Sequence, residues 1–149
     1  MKEYQMAYDV LVERIVALSP SRVYALLADF GGIKRRLPDV IESVEMRGSG
    51  IGSVRTIRLA GKPGTIEERL EALVENRLVS YSIINESPLP VDHYHAVVYL
   101  DDAQDGCRIR WGANWIARGV SDEQARQVLI ATYNRSIDGI VRLGSQAGS

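Results

Sequence analysis

A chain of 149 residues, 46% of them hydrophobic, can bury a core without metals or disulfides, and one domain spanning residues 1–149 is expected. Eighteen Lys and Arg against nineteen Asp and Glu leave a formal charge of −1, which argues against a general pull toward nucleic acid or anionic lipid. No apolar run reaches membrane-spanning length, and a single cysteine, Cys107, with no basic and apolar leader ahead of the first strand points to a reducing cytoplasm.

The first segment, Met6 to Leu18, is rich in Val, Ile and Tyr and reads as a strand. Ser19-Pro20-Ser21 then opens a short helix through Ala28, with Ser19 as the cap and Pro20 at the first helical position, where no amide bond is lost. Asp29-Phe30-Gly31-Gly32 breaks it, Ile33 to Leu37 form a second turn of helix, and Pro38 stops that one. Six strands follow, at Val40–Arg47, Ser53–Leu59, Thr65–Val74, Leu78–Asn85, Val91–Leu100 and Cys107–Ala117, separated by short breaks rich in Gly, Pro, Asn and Asp. Short links between successive strands imply an antiparallel meander. From Ser121 the chain turns helical, and Val128, Leu129, Thr132, Tyr133, Ser136, Ile137, Ile140 and Leu143 fall on one face. The fold class is therefore α+β, and a curved sheet covered by one long helix leaves room for a small apolar guest.

The order of strand, broken helix, six strands and terminal helix resembles the START-like SRPBCC superfamily, the helix-grip fold of polyketide cyclase/dehydrase and lipid-transport proteins. The motifs that carry the likeness are Asp29-Phe30-Gly31-Gly32, Gly50-Ile51-Gly52-Ser53-Val54-Arg55, Glu68-Arg69-Leu70, Tyr81-Ser82-Ile83, Pro88-Leu89-Pro90-Val91-Asp92-His93-Tyr94 and Trp111 followed by Trp115. The resemblance implies a seven-stranded sheet wrapped around the last helix, with a ligand cavity between them. It extends distantly to plant abscisic-acid receptors, whose gate and latch loops match Ala60–Gly64 and Ser87–Val91; the alternative is a pair of stiff hairpin turns. The receptor latch carries a His-Arg pair that this chain lacks, and the receptors' carboxylate-anchoring lysine aligns near Pro38, so abscisic-acid sensing is not implied. Many bacterial relatives have a Trp where this chain has Arg36.

Alternation along the strands gives the inward faces. Cys107, Ile109, Trp111, Ala113, Trp115 and Ala117 share one side of the last strand; Ile57, Leu59, Ile66, Glu68, Leu70, Ala72, Tyr81, Ile83, Tyr94, Ala96 and Val98 are the inward residues of the others. The expected ligand-facing set is Ile57, Leu59, Glu68, Leu70, Tyr81, Ile83, Tyr94, Ala96, Trp111 and Trp115 from strands. Pro63 and Leu89 from the two turns, and Leu129, Thr132, Tyr133 and Ser136 from the helix, complete it. A hairpin closing at Gly61–Gly64 would set Ile57 opposite Glu68, with Arg55 diagonally across. Two roles stand for Glu68: a structural ion pair with Arg55, or, as the resemblance implies, a group that also orients a ligand oxygen. Each aromatic can equally fill core or recognise a flat, oxygenated ligand.

Other signals carry less. Gly48-x-Gly50-x-Gly52 lies between strands with no helix after it and reads as a turn, so no cofactor is expected. His93 and His95 lie on the side opposite Tyr94 with no further ligand, and no metal site is expected. Cys107 belongs to an apolar row, and Asn134-Arg135-Ser136 is a sequon inside a helix. The functional reading is a binder of a small hydrophobic molecule, such as a lipid, polyketide or terpenoid. The alternative is a polyketide cyclase or dehydratase, for which Glu68 and Tyr94 are the catalytic candidates. A protein-interaction module that keeps only the shell of the fold, and a homodimer, are left open.

Overall fold

The computed structural model describes residues 7–147. Strand β1 covers Val10–Val16; of the longer segment expected from sequence, Met6 lies outside the described residues, and Ala17 and Leu18 bend away toward the first helix. Helix α1 (Pro20–Ala28) starts where Ser19 Oγ accepts the Arg22 amide at 3.2 Å, with Pro20 in the first turn. A 3-10 turn at Phe30–Gly32 and the short helix α2 (Ile33–Arg36) follow. The Leu37 amide, bonded back to Ile33 and Lys34, closes α2 just before Pro38.

The meander consists of β2 (Ile41–Arg47), β3 (Val54–Leu59), β4 (Thr65–Val74), β5 (Leu78–Ile83), β6 (Val91–Ala103) and β7 (Gly106–Ala117). All seven strands form one sheet in the order β1-β7-β6-β5-β4-β3-β2, antiparallel throughout. Helix α3 (Asp122–Ala147) closes the chain. Its start is a reciprocal cap: the Gln124 amide donates to Ser121 Oγ at 3.1 Å and the Ser121 amide to Gln124 Oε1 at 3.0 Å.

Two details differ from the sequence reading. Arg55, not Ile57, stands directly opposite Glu68, and Ile57 faces Ile66. Counted from the Arg58–Thr65 pair, the hairpin centres between Gly61 and Lys62, one residue before the middle of Gly61–Gly64, and Gly61 takes φ +74° there. In β4 the register shifts between Leu70 and Ala72. Ala72 then pairs with the outward Ser80, and Leu73 takes the inward place beside Val79. A second shift lies between Asp92 and His95 in β6, with His93 at φ +53°. Such irregularities bend a sheet, and this one curls around α3.

The buried residues divide into two clusters. The larger, which includes Val23, Leu27, Leu70, Val98, Ile109, Trp111, Leu129, Tyr133 and Ile137, lies where α1 and α3 meet the strands. The smaller is Ile33, Leu37, Ile41, Ile57 and Ile66, between α2 and β2 to β4. Helix α3 packs on β1 and β7 and, as a second support, on both short helices.

The second support depends on Gly139. A Cβ there would lie 2.2 Å from the Arg36 carbonyl oxygen and 2.9 Å from its Cα, so only glycine lets the two backbones approach this closely. Gly139→Ala therefore sets helix propensity, which favours alanine by about 0.5–1 kcal/mol, against a backbone clash costing about 1–3 kcal/mol. Urea denaturation should show a net loss of stability; a gain would mean that α3 and α2 stand further apart than described.

Candidate functional site

Between the two clusters, under α3, lies a cavity of about 220 Å3. One wall is the smaller cluster with Val40, Leu59 and Leu89; the other is Tyr81, Tyr94 and Trp111 from the sheet with Leu129 and Tyr133 from α3. Lys62, Val128, Thr132 and Arg135, all exposed, stand at the mouth. Drug-sized sites run to roughly 300–1,000 Å3, so this one suits a small guest or one whose end protrudes.

A group of polar side chains converges in this otherwise apolar space. Arg55 donates from Nε to Glu68 Oε1 at 2.8 Å, its Nη2 stands 2.7 Å from the same oxygen as an ion pair, and its Nη1 donates to the Phe30 carbonyl at 3.0 Å. Its guanidinium also lies 3.7 Å from the centre of the Phe30 ring, so its flat face is covered as well. Both charges are buried, and the pairing is what makes that tolerable. Glu68 Oε2 accepts no hydrogen bond among the described residues and is the free acceptor of the pair.

The hydroxyls of Tyr81, Tyr94 and Tyr133 form a chain beside it. Trp111 Nε1 donates to Tyr81 Oη at 3.2 Å, Tyr81 Oη lies 3.5 Å from Tyr94 Oη, and Tyr94 Oη is hydrogen-bonded to Tyr133 Oη. Trp111 stacks on Tyr133 with ring centres 4.9 Å apart. Burial pushes the Tyr81 phenol up to about 12, aided by the nearby Glu68, and holds Tyr94 and Tyr133 well above their ordinary value. At neutral pH the chain is a set of neutral donors and acceptors.

Two further groups are missing partners. Arg36 is only 3% exposed; its Nη1 donates to the Leu26 carbonyl at 2.9 Å, but its Nε bonds to nothing among the described residues. Ser136, also 3% exposed, has no partner for its Oγ among them.

Eleven of the sixteen ligand-facing residues expected from sequence line the cavity: Ile57, Leu59, Glu68, Tyr81, Leu89, Tyr94, Trp111, Leu129, Thr132, Tyr133 and Ser136. Thr132 does so at the rim, its hydroxyl turned back to the Val128 carbonyl at 2.8 Å. The other five are not in the wall. Leu70 and Ala96 are buried deep in the larger cluster, with Ile83 against its edge. Trp115 packs there too, with Arg126 over its ring, and Pro63 is exposed at the tip of its turn. They face the helix side, but alternation assigns a face and not a position along it. Outside the expected set, the lining also holds Ile33, Arg36, Leu37, Val40 and Ile41 around α2, with Arg55, Lys62, Ile66, Val128 and Arg135; the sign for the first group was there in the Ile33 and Leu37 spacing, which turns one side of that segment inward.

The two turns over the mouth differ in how they are held. Arg118 Nη2 donates to the carbonyls of Ser87 and Leu89, and Arg118 Nη1 pairs with Asp92, so the Ser87–Pro90 turn is stapled to the end of β7. The Lys62–Gly64 segment is exposed, touching it where Gly64 approaches Pro88. Elsewhere, His95 bonds Ser80 and Ser82 on the outer face, and Cys107 is buried with its thiol pushed up to about 11 by burial. No described helix is long and apolar enough to cross a membrane.

Comparison with solved structures supports the fold. The chain is similar to the protein XoxI from Bacillus cereus (23% identity, TM-score 0.79, covering 94% of this chain and 97% of that one). It is also similar to Ara h 8.0201 (16%, 0.77, 91% and 96%). Norcoclaurine synthase from Thalictrum flavum, solved in complex with dopamine and hydroxybenzaldehyde, superposes as well (18%, 0.73, 92% and 86%). No curated protein matches the chain by sequence. The profile of one family, described as polyketide cyclase / dehydrase and lipid transport, matches residues 8–143, nearly the full length. With its helix-grip fold, the chain belongs to that family, within the START-like SRPBCC superfamily.

Proposed function

We propose that the protein binds a small, mainly hydrophobic molecule in the cavity between sheet and α3, as a carrier or sensor. The observation that carries this reading is the division of the core: two apolar clusters face each other across an unfilled space, where a protein without a guest gains most by closing it. The family's description, which includes lipid transport, supports the same class of guest. The polar groups on the walls then set orientation, with Glu68 Oε2 and the tyrosine hydroxyls as fixed points for ligand oxygens.

The second reading, a polyketide cyclase or dehydratase, uses the same space and the same family description. Its difficulty is the absence of a base among the aromatic hydroxyls. Tyr94 is held protonated by burial and by its tyrosine neighbours, so it can donate a proton or a hydrogen bond but not abstract one at neutral pH. Glu68 is left as the one acceptor, and half of it is engaged by Arg55.

Binding is tested by titration with Nile red, a neutral apolar dye. Wild type should enhance its fluorescence saturably, and Leu129→Trp, which fills the cavity from the helix side, should weaken binding by about tenfold or more, a loss of about 1.4 kcal/mol. Equal binding by both proteins would place the dye elsewhere and remove the support.

The tyrosine assignment has its own test. Because the native phenols bind protons more tightly than unfolded ones, they contribute no pH dependence below about 10. Stability should then fall as pH rises from about 10 toward 12, as the unfolded chain ionises first. Absorbance at the phenolate band should show Tyr81, Tyr94 and Tyr133 still protonated at about pH 10, the ordinary value for a phenol. If replacing them with Phe removes phenolate absorbance already present at that pH while the protein stays folded, the chain of buried hydroxyls is wrongly described. For the cyclase reading, Glu68→Gln and Tyr94→Phe should each slow turnover of a poly-β-keto substrate by about a hundredfold.

A further inference from the structure

We propose that the guest is a monoanionic carboxylic acid with an apolar body, and that the Nε of Arg36 and the Oγ of Ser136 receive its carboxylate. The inference rests on the binding function above and names the class of ligand for that site.

The first ground is the charge count inside the cavity. Its buried walls hold Arg36, Arg55 and Glu68, two cations against one anion. Glu68 is taken by Arg55, and no carboxylate lies within ion-pair distance of Arg36 among the described residues. A charge this deeply buried is retained only when something compensates it. One negative charge on the guest would balance the buried groups.

The second ground is geometry. Arg36 ends α2, and the contact of its backbone with Gly139 sets it against α3. Ser136 lies one helical turn before Gly139, on the same face of α3, so its hydroxyl belongs to the same junction. Both side chains line the cavity, and Arg36 Nε and Ser136 Oγ are buried with no hydrogen-bond partner among the described residues, so a guest meets them once the two side chains turn toward it. A guanidinium N–H and a hydroxyl are donors suited to a carboxylate. Burial, with Arg55 nearby, lowers Arg36 to about 10, which leaves it charged at neutral pH and records the cost of its isolation. Lys62 and Arg135 at the mouth add positive charge along the way in.

The test compares decanoic acid with its uncharged methyl ester, each displacing Nile red at neutral pH. In wild type the acid should bind at least about tenfold tighter than the ester, as expected of a charge-assisted hydrogen bond. That preference should persist at about 0.5 M salt, because a buried pair is screened far less than charges at the mouth. Arg36→Met should abolish the preference while keeping ester binding, and Arg36→Lys should retain part of it. Should Arg36→Met fail to fold, Ser136→Ala is the substitute: it should weaken the acid several-fold and leave the ester unchanged. Equal binding of acid and ester by wild type, or a preference that survives Arg36→Met or vanishes with salt, would overturn the assignment while leaving the cavity's binding role intact. If Nile red, acid and ester all fail to bind, both readings fall.

Discussion

The structure is governed by the way α3 is propped against the sheet. It lies on β1 and β7 and on α2, the last through the Gly139 contact. The sheet bends at two register shifts, and the cavity lies between it and the helix. The split of the core follows. Residues where helix and sheet meet form the larger cluster, and those that α2 brings down on β2 to β4 form the smaller one.

That separation explains why charge can live inside. Arg55 and Glu68 sit opposite each other on neighbouring strands, so their pairing needs no long reach, and Phe30 supplies both a carbonyl and a ring face. Arg36 lacks such an arrangement and keeps only the Leu26 carbonyl. The tyrosine chain lies between the two situations: each hydroxyl is satisfied by another, and burial keeps every one neutral. The site thus combines neutral hydroxyls, one free carboxylate oxygen and a buried guanidinium that makes no ion pair among the described residues.

Much of this was legible in the residues. Turn chemistry placed the six strands of the meander and Ser19 the start of α1, because glycine, proline and capping serines act locally. Alternation found the inward rows of β5 and β7. It failed in β4 beyond Leu70, where an extra residue reverses every later side chain, and in the β3–β4 pairing, where the centre lies between Gly61 and Lys62 and not midway to Gly64. Nor could it separate Leu70 and Ala96, deep in the larger cluster, from Ile57 and Tyr81 beside the cavity. Depth along a face depends on where α3 lands, and that depends on contacts between residues far apart in sequence, the Gly139 approach to the Arg36 backbone among them.

On the proposed reading, the space between the two clusters receives the apolar part of a guest, with its polar end at Arg36. A crystal structure of the protein grown with decanoic acid should then show alkyl density between Ile57 and Leu129 and a carboxylate in hydrogen-bond contact with the Arg36 guanidinium. An interior filled by the protein's own side chains, with the acid absent or bound only at the surface, would contradict it.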